Sequence, residues 1–139
     1  MATYDVAERS AIVTGAGSGI GRAVALTLAA NGAAVLVADV RQEAADAVVA
    51  EITGAGGTAV AFVGDVSDPA AGQAAVDAAE ALAPLRIAVN NAGIGGAAAP
   101  IGEYPIDSWQ KVIEINLNAV FYGTRAQAAE GVLLSLIHI

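Results

Sequence analysis

From Ser10 onward, apolar and polar positions along the chain alternate between two periods. "AIVT" (11–14), "AAVLVAD" (33–39), "TAVAFVGD" (58–65) and "RIAVN" (86–90) are short, continuous apolar runs, the pattern of strands covered on both faces. Between them lie stretches with helical spacing. The first runs from Ile20 to about Ala30 and stops at Asn31-Gly32, glycine being the usual left-handed residue after a helix. The second, "RQEAADAVVAEIT" (41–53), sets Ala45, Val48, Val49 and Ile52 on one face and has Gly54 as its stop. Ser67-Asp68-Pro69 joins a capping side chain to a proline suited to a first helical turn, opening a third helix through Leu82 that Pro84 breaks. A loop with glycines and Pro100 then leads to a last helix, about Asp107 to Glu130. Trp109, Val112, Ile113, Asn116, Val120 and Phe121 share one of its faces, while Ile115 and Leu117 fall off it. A helix apolar on several sides is expected to be buried or to lie in a subunit interface.

Strand and helix in this alternation predict an α/β fold: an open, doubly wound parallel sheet with helices on both faces. A length of 139 residues, with 56% hydrophobic and 14% charged positions, fits one globular domain rather than a disordered chain. The net charge of −8, with the cationic residues scattered at Arg9, Arg22, Arg41, Arg86, Lys111 and Arg125, offers no basic footprint for nucleic acid or an anionic membrane. Cysteine is absent, which excludes disulfides and thiol chemistry; no metal site is expected. "MATYDVAERS" has no apolar signal-peptide region, and no apolar run approaches the ~20 residues of a membrane span, so a cytoplasmic location is expected.

The chemistry enters at "TGAGSGIG" (14–21), which puts glycines at every second position between the first strand and the first helix. In a doubly wound sheet this turn lies at the carboxyl edge, where ligands bind. Bare glycine backbone there lets N–H groups approach a phosphate, and the following helix turns its positive end toward the anion. The spacing Gly15-x-x-x-Gly19-x-Gly21 is not G-x-G-x-x-G, and no Gly-Lys-Ser/Thr follows to make a Walker A loop.

"TGAGSGIG", an Asp ending the second strand, an Asp-Val after the third, "NNAG" (90–93) and "INLNAVF" (115–121) together resemble the short-chain dehydrogenase/reductase family, over about residues 8 to 130. The resemblance implies a Rossmann-like sheet of strand order 3-2-1-4 and an oxidoreductase that moves a hydride between a nicotinamide and an alcohol or carbonyl substrate. It places the cofactor at the turn of Gly15, Ser18, Gly19, Ile20 and Gly21, where the three glycines admit the pyrophosphate, the adenine at Asp65 and Val66, and the ribose region at Asn91, Ala92 and Gly93, with Asn90 supporting the sheet. Asp39, eighteen positions after Gly21, can accept hydrogen bonds from the adenosine ribose hydroxyls of NAD. The phosphate of NADP would meet that carboxylate, and Ser18 stands where NADP-preferring relatives often carry Arg or Lys. NAD is therefore the expected cofactor, while Arg41, two residues past Asp39, leaves NADP open. Plainer readings stand beside these: the glycines as a tight turn that allows helix-on-strand packing, Asp39 as a helix cap, Asp65 as a turn former, "NNAG" as a turn.

Asn116 is the polar residue of the last helix's apolar face, where an amide without partners would cost ~1–3 kcal/mol. The plain reading is a core Asn bonded to a carbonyl or water. The resemblance implies an active-site Asn that holds a water on a proton relay, and both can be true together. The family's general acid/base Tyr, followed four residues later by Lys, has no counterpart among the 139 residues: Lys111 is the only lysine, and Asp107 stands four positions before it. The family's Ser is lacking too. The last residues, "LSLIHI" (134–139), resemble the translation of a transposon-end adapter used in sequencing libraries. The expectation is a cofactor-binding portion over 1–133 followed by a non-native tail, inactive alone and belonging to a homodimeric or homotetrameric enzyme. The alternative is a non-catalytic dinucleotide-binding or interaction module.

Overall fold

The computed structural model describes residues 5–132; the tail 134–139 lies outside them. The apolar runs become four parallel strands: β1 (Ser10–Thr14), β2 (Ala34–Asp39), β3 (Thr58–Val63) and β4 (Leu85–Val89), in the order β3-β2-β1-β4. The helices between them are α1 (Gly19–Ala30), α2 (Gln42–Gly54) and α3 (Pro69–Glu80). After β4 an extended loop and one 3-10 turn (Ile101–Glu103) lead to α4 (Ile106–Ile113), a π-turn (Glu114–Asn118) and α5 (Ala119–Ala129). Among the described residues no helix is long and apolar enough to cross a membrane.

Strand alternation builds a core on each face of the sheet. Ala11 and Val13 of β1, with Val35 and Val37 of β2, pack against Ala25 and Ala29 of α1 and Ala45, Val48 and Ile52 of α2. Ile12 and Leu36, one position out of phase, join Leu85, Ala75, Val76, Ala79 and Ala126 on the opposite face. Successive strand side chains point to opposite sides, so a central strand with two covered faces must be apolar throughout. Alanine supplies much of the helical surface and lets the helices lie close to the strands.

Most punctuation falls where the sequence places it. Asn31 ends α1 with Gly32 at φ +98°, and the Asp68 carboxylate caps α3 by accepting from the Ala70 N–H at 2.9 Å, with Pro69 at the first position. The stop after α2 differs: Gly54 is the last helical residue, and the left-handed residue is Gly56 at φ +88°.

The last helix is the larger correction. It is interrupted by the π-turn, in which the Ala119 N–H donates to the Glu114 carbonyl, five residues back. One extra residue in a turn rotates everything after it by about 100° relative to a plain α-helix. The single apolar face expected from Trp109 to Phe121 is therefore divided. Trp109 and Phe121 are exposed, at 58% and 62%, and Asn116 is exposed as well, whereas Ile115, off that face, is buried.

The α5 segment is tied to the end of β4 by an amide pair. The Asn90 Nδ2 donates to Gln127 Oε1 and the Gln127 Nε2 donates to Asn90 Oδ1, both at 3.0 Å, so the buried Gln127 is satisfied on both its polar atoms. A Cβ on Gly123 would lie 2.6 Å from Asn90 Oδ1. Gly123→Ala is thus expected to destabilise the fold by ~1–3 kcal/mol, read as a lower urea midpoint. At the other end of the sheet the fully buried Ser10 hydroxyl has no hydrogen-bond partner. Ser10→Ala removes an unsatisfied group and is expected to raise the same midpoint, by up to ~1 kcal/mol of stability.

Candidate functional site

The carboxyl ends of all four strands open into one cleft of about 750 Å³. Its floor and walls include Gly15, Ser18, Gly19 and Ile20 from the β1–α1 turn, Asp39, Val40 and Arg41 after β2, Asp65 and Val66 after β3, and Asn91, Ala92 and Gly93 after β4; Lys111 and Ile115 come from the last helix. Parallel strands joined by crossover helices bring their following loops to the same edge, so residues scattered over a hundred positions meet there.

The glycine turn has two devices. Gly15 and Gly19 hold φ of +62° and +54°, and a Cβ on Gly19 would meet no heavy atom within 4 Å, so the backbone there is bare toward open space. Ser18 is the N-cap of α1 but makes no side-chain capping bond, leaving the first-turn N–H groups without an intrahelical acceptor. Gly21 serves a different contact. It is buried, does not line the cleft, and a Cβ there would collide with the Gly15 carbonyl and lie 2.6 Å from Asn91 Nδ2. Its missing side chain lets α1 press against the turn.

Thr14 was not singled out by its residue type, yet it fastens the turn to the β4 loop. Its Oγ1 accepts from the N–H groups of Asn91 and Ala92, each at 3.0 Å, while Asn91 Nδ2 donates to the Thr14 carbonyl at 3.0 Å. Asn91 thus spends its amide nitrogen on the backbone of β1, and Asn90 supports the sheet through Gln127.

Asp39 is 8% exposed at the end of β2. Its Oδ2 accepts from the Gly17 N–H at 2.9 Å, and Oδ1 from the Arg41 N–H at 3.0 Å and more loosely from Arg41 Nε at 3.4 Å. Burial alone would push this carboxyl up, but the Arg41 and Gly17 amides and the Arg41 guanidinium outweigh it and hold the group below the usual carboxylate range. The N-cap of α2 is Arg41, so Asp39 is not the cap of that helix. Gly17, absent from the expected site, ties the glycine turn to β2 together with the Ala16 N–H, which donates to the Ala38 carbonyl at 3.0 Å. Asp65 does form a turn: its Oδ1 accepts from the Ser67 N–H at 2.9 Å and Oγ at 2.7 Å. Those bonds, with a smaller contribution from the Lys111 charge, hold the exposed Asp65 carboxyl below the usual range against a slight desolvation.

Asn116 faces the loop after β4 rather than the core. The Ile94 N–H donates to its Oδ1 at 2.8 Å and its Nδ2 donates to the Ile94 carbonyl at 3.0 Å. Its side chain is paired with one backbone unit at an exposed position, which answers the partner question differently from a core amide. A second tie holds the same loop, where the Ser108 Oγ accepts from the Ala97 N–H at 3.0 Å. Among the described residues no group of three or more His, Cys, Asp or Glu converges as a metal site would require.

Several known proteins are similar to this chain. The cyclohexanol dehydrogenase of Acinetobacter sp. (strain SE19) is 47% identical over 116 residues, covering 83% of this chain and 46% of that protein. The 2-dehydro-3-deoxy-L-rhamnonate dehydrogenase (NAD(+)) of Sphingomonas sp. (strain SKA58) is 47% identical over 120 residues, covering 86% and 47%. The crystal structure of a short chain dehydrogenase/reductase from Burkholderia phymatum in complex with NAD superposes with a TM-score of 0.85 at 35% identity, over 91% of this chain and 45% of that one. The chain spans about half the length of the curated relatives it matches. The family model for short chain dehydrogenase matches residues 9–132, and with the strand order and cleft described above the chain belongs to the short-chain dehydrogenase family.

Proposed function

We propose that this chain is the NAD-binding part of an oxidoreductase that exchanges a hydride with an alcohol or carbonyl substrate. The observation that carries the reading is the convergence of the bare glycine turn, the buried Asp39 and the Asp65-Val66 and Asn91–Gly93 loops on one 750 Å³ cleft. The residues fit the cofactor. The free first-turn amides of α1 and the open space at Gly19 suit a diphosphate. Asp39, with three donors already placed on it, one of them the loose Arg41 Nε contact, retains a lone pair on Oδ2 for a ribose hydroxyl. The outer face of Asp65 and the backbone of Val66 suit an adenine edge, and the Asn91–Gly93 loop borders the ribose. When bound, the dinucleotide supplies the carbon that gives or accepts the hydride; the protein's part is to hold and orient it.

Asp39 supports NAD over NADP. A 2′-phosphate ~4 Å from its carboxylate would be repelled by roughly 4 kcal/mol at an effective dielectric of 20, and Arg41, already engaged with Asp39, offsets only part of this. Asn116 holds the loop at Ile94 with one N–H and one lone pair of its amide, and the second N–H and second lone pair remain for the water of a proton relay. The same long helix exposes Trp109, Leu117 and Phe121, which supports a homodimer or homotetramer in the whole enzyme. We place that enzyme in the cytoplasm.

A second reading, a non-catalytic dinucleotide-binding or interaction module, is favoured by one observation. The 139 residues contain no Tyr followed four positions later by Lys. Both readings expect binding without turnover from this chain; a longer product carrying such a pair and reducing NAD with an alcohol supports the enzyme.

Calorimetric titration of the chain is expected to show NAD binding at least tenfold tighter than NADP, and Asp39→Ser should shrink that ratio. Failure of NAD to bind overturns the reading. The depressed carboxyl of Asp39 also gives a pH signature. Its stabilising effect is fully present above the unfolded carboxyl value and is lost as pH falls through the folded one. Denaturation midpoints measured between pH 7 and pH 3 are expected to drop more steeply below about pH 4 in the native chain than in Asp39→Asn.

A further inference from the structure

Lys111 is the only lysine in the chain, and it lines the cleft. It lies on α4 four positions before Ile115, which lines the same wall, while Asp65 and Val66 line the cleft from the loop after β3. The Lys111 ammonium is half-exposed and 3.6 Å from the Glu114 carboxylate, an i,i+3 pair of the kind that is weak in water. Such a side chain can be re-aimed at little cost. Asp65 has Ser67 bonded to Oδ1 alone, and among the described residues no donor engages Oδ2. An acceptor and a cationic donor therefore line the same cleft, near enough for the Lys111 charge to act on Asp65. In a chain of net charge −8, a cation placed there also offsets the field that opposes an anionic ligand.

A purine with an exocyclic amine presents a donor beside a ring-nitrogen acceptor. Asp65 and Lys111 offer the complementary pair. Resting on the dinucleotide reading of the cleft, the geometry points to Lys111 as a further cofactor-binding residue, which leaves Glu114 on binding and closes the adenosine end by donating to a ring nitrogen of the adenine held at Asp65. Glu114 then competes with the ligand for the ammonium, so the two residues act in opposite directions on affinity. Ile115, buried one turn further along, marks where the base would rest against the helix.

The test is equilibrium dialysis of radiolabelled NAD and ADP-ribose against the 139-residue chain at low micromolar concentration, with Lys111→Met, Lys111→Arg and Glu114→Gln in parallel. Both side chains are about half-exposed, so thermal melts of the variants should coincide with that of the parent. Lys111→Met is expected to weaken both ligands about three- to tenfold, Lys111→Arg to keep most of the affinity, and Glu114→Gln to tighten binding. ADP-ribose should respond as strongly as NAD, since it carries the adenosine end without the nicotinamide. If the parent binds both ligands and Lys111→Met stays within twofold of it, or Lys111→Arg falls as far as Lys111→Met, the role of Lys111 is overturned while the cleft keeps its function. If the parent binds neither ligand, the reading of the cleft fails and the role of Lys111 fails with it.

Discussion

The hydrogen bonds between Thr14 and the Asn91-Ala92 backbone join two loops that stand 77 and 78 positions apart in the chain. One is the glycine turn that opens α1; the other is the exit of β4. With Asn91 returning a bond to the Thr14 carbonyl, the contact is reciprocal, and neither loop can shift without breaking donors and acceptors on both sides. The packing of Gly21 beneath the Gly15 carbonyl adds a steric limit from the helix side. Asp39 ties in the third loop through the Gly17 amide. The cleft therefore owes its shape to a small set of polar links laid across the edge of an apolar sheet. Sheet register sets the spacing of these links, because β1 is paired on both sides, with β2 and with β4.

Most of the fold was legible because its determinants are local. Continuous apolar runs of four to eight residues between helix-patterned stretches leave little choice but buried parallel strands. Asp68-Pro69 and Asn31-Gly32 state helix ends through side-chain capping and backbone freedom, both short-range effects. The cleft-lining residues of the four loops were legible for a related reason: they sit immediately after strands, where chain order alone sends them to the carboxyl edge.

The less legible features depend on pairings distant in sequence, or on a break in period. Thr14 reads as a strand end, and only the fold brings its hydroxyl under Asn91. Gln127 reads as one polar position in an alanine-rich helix until Asn90 is placed opposite it. The π-turn left a trace, since Ile115 and Leu117 refused the face chosen by their neighbours, but a 3.6-residue period assumes no inserted residue and assigns such misfits to a second apolar side. Ile115 is in fact core, Leu117 is exposed, and Asn116 between them turns to the loop at Ile94. Lys111 carried no signal beyond being the sole lysine, because its charge has meaning only beside Asp65.

The widened turn at Glu114–Asn118 sets the angular phase between two halves of one rod. The downstream half is clamped to β4 through Gln127, the upstream half carries Lys111 to the cleft wall, and Ile115 lines that wall from the turn itself. Excising any single residue of this segment would let an unbroken α-helix form, with better backbone pairing than before. Held at its far end, that straighter rod would swing its near half by about 100°. A gain in local regularity would thus cost the cleft one of its walls.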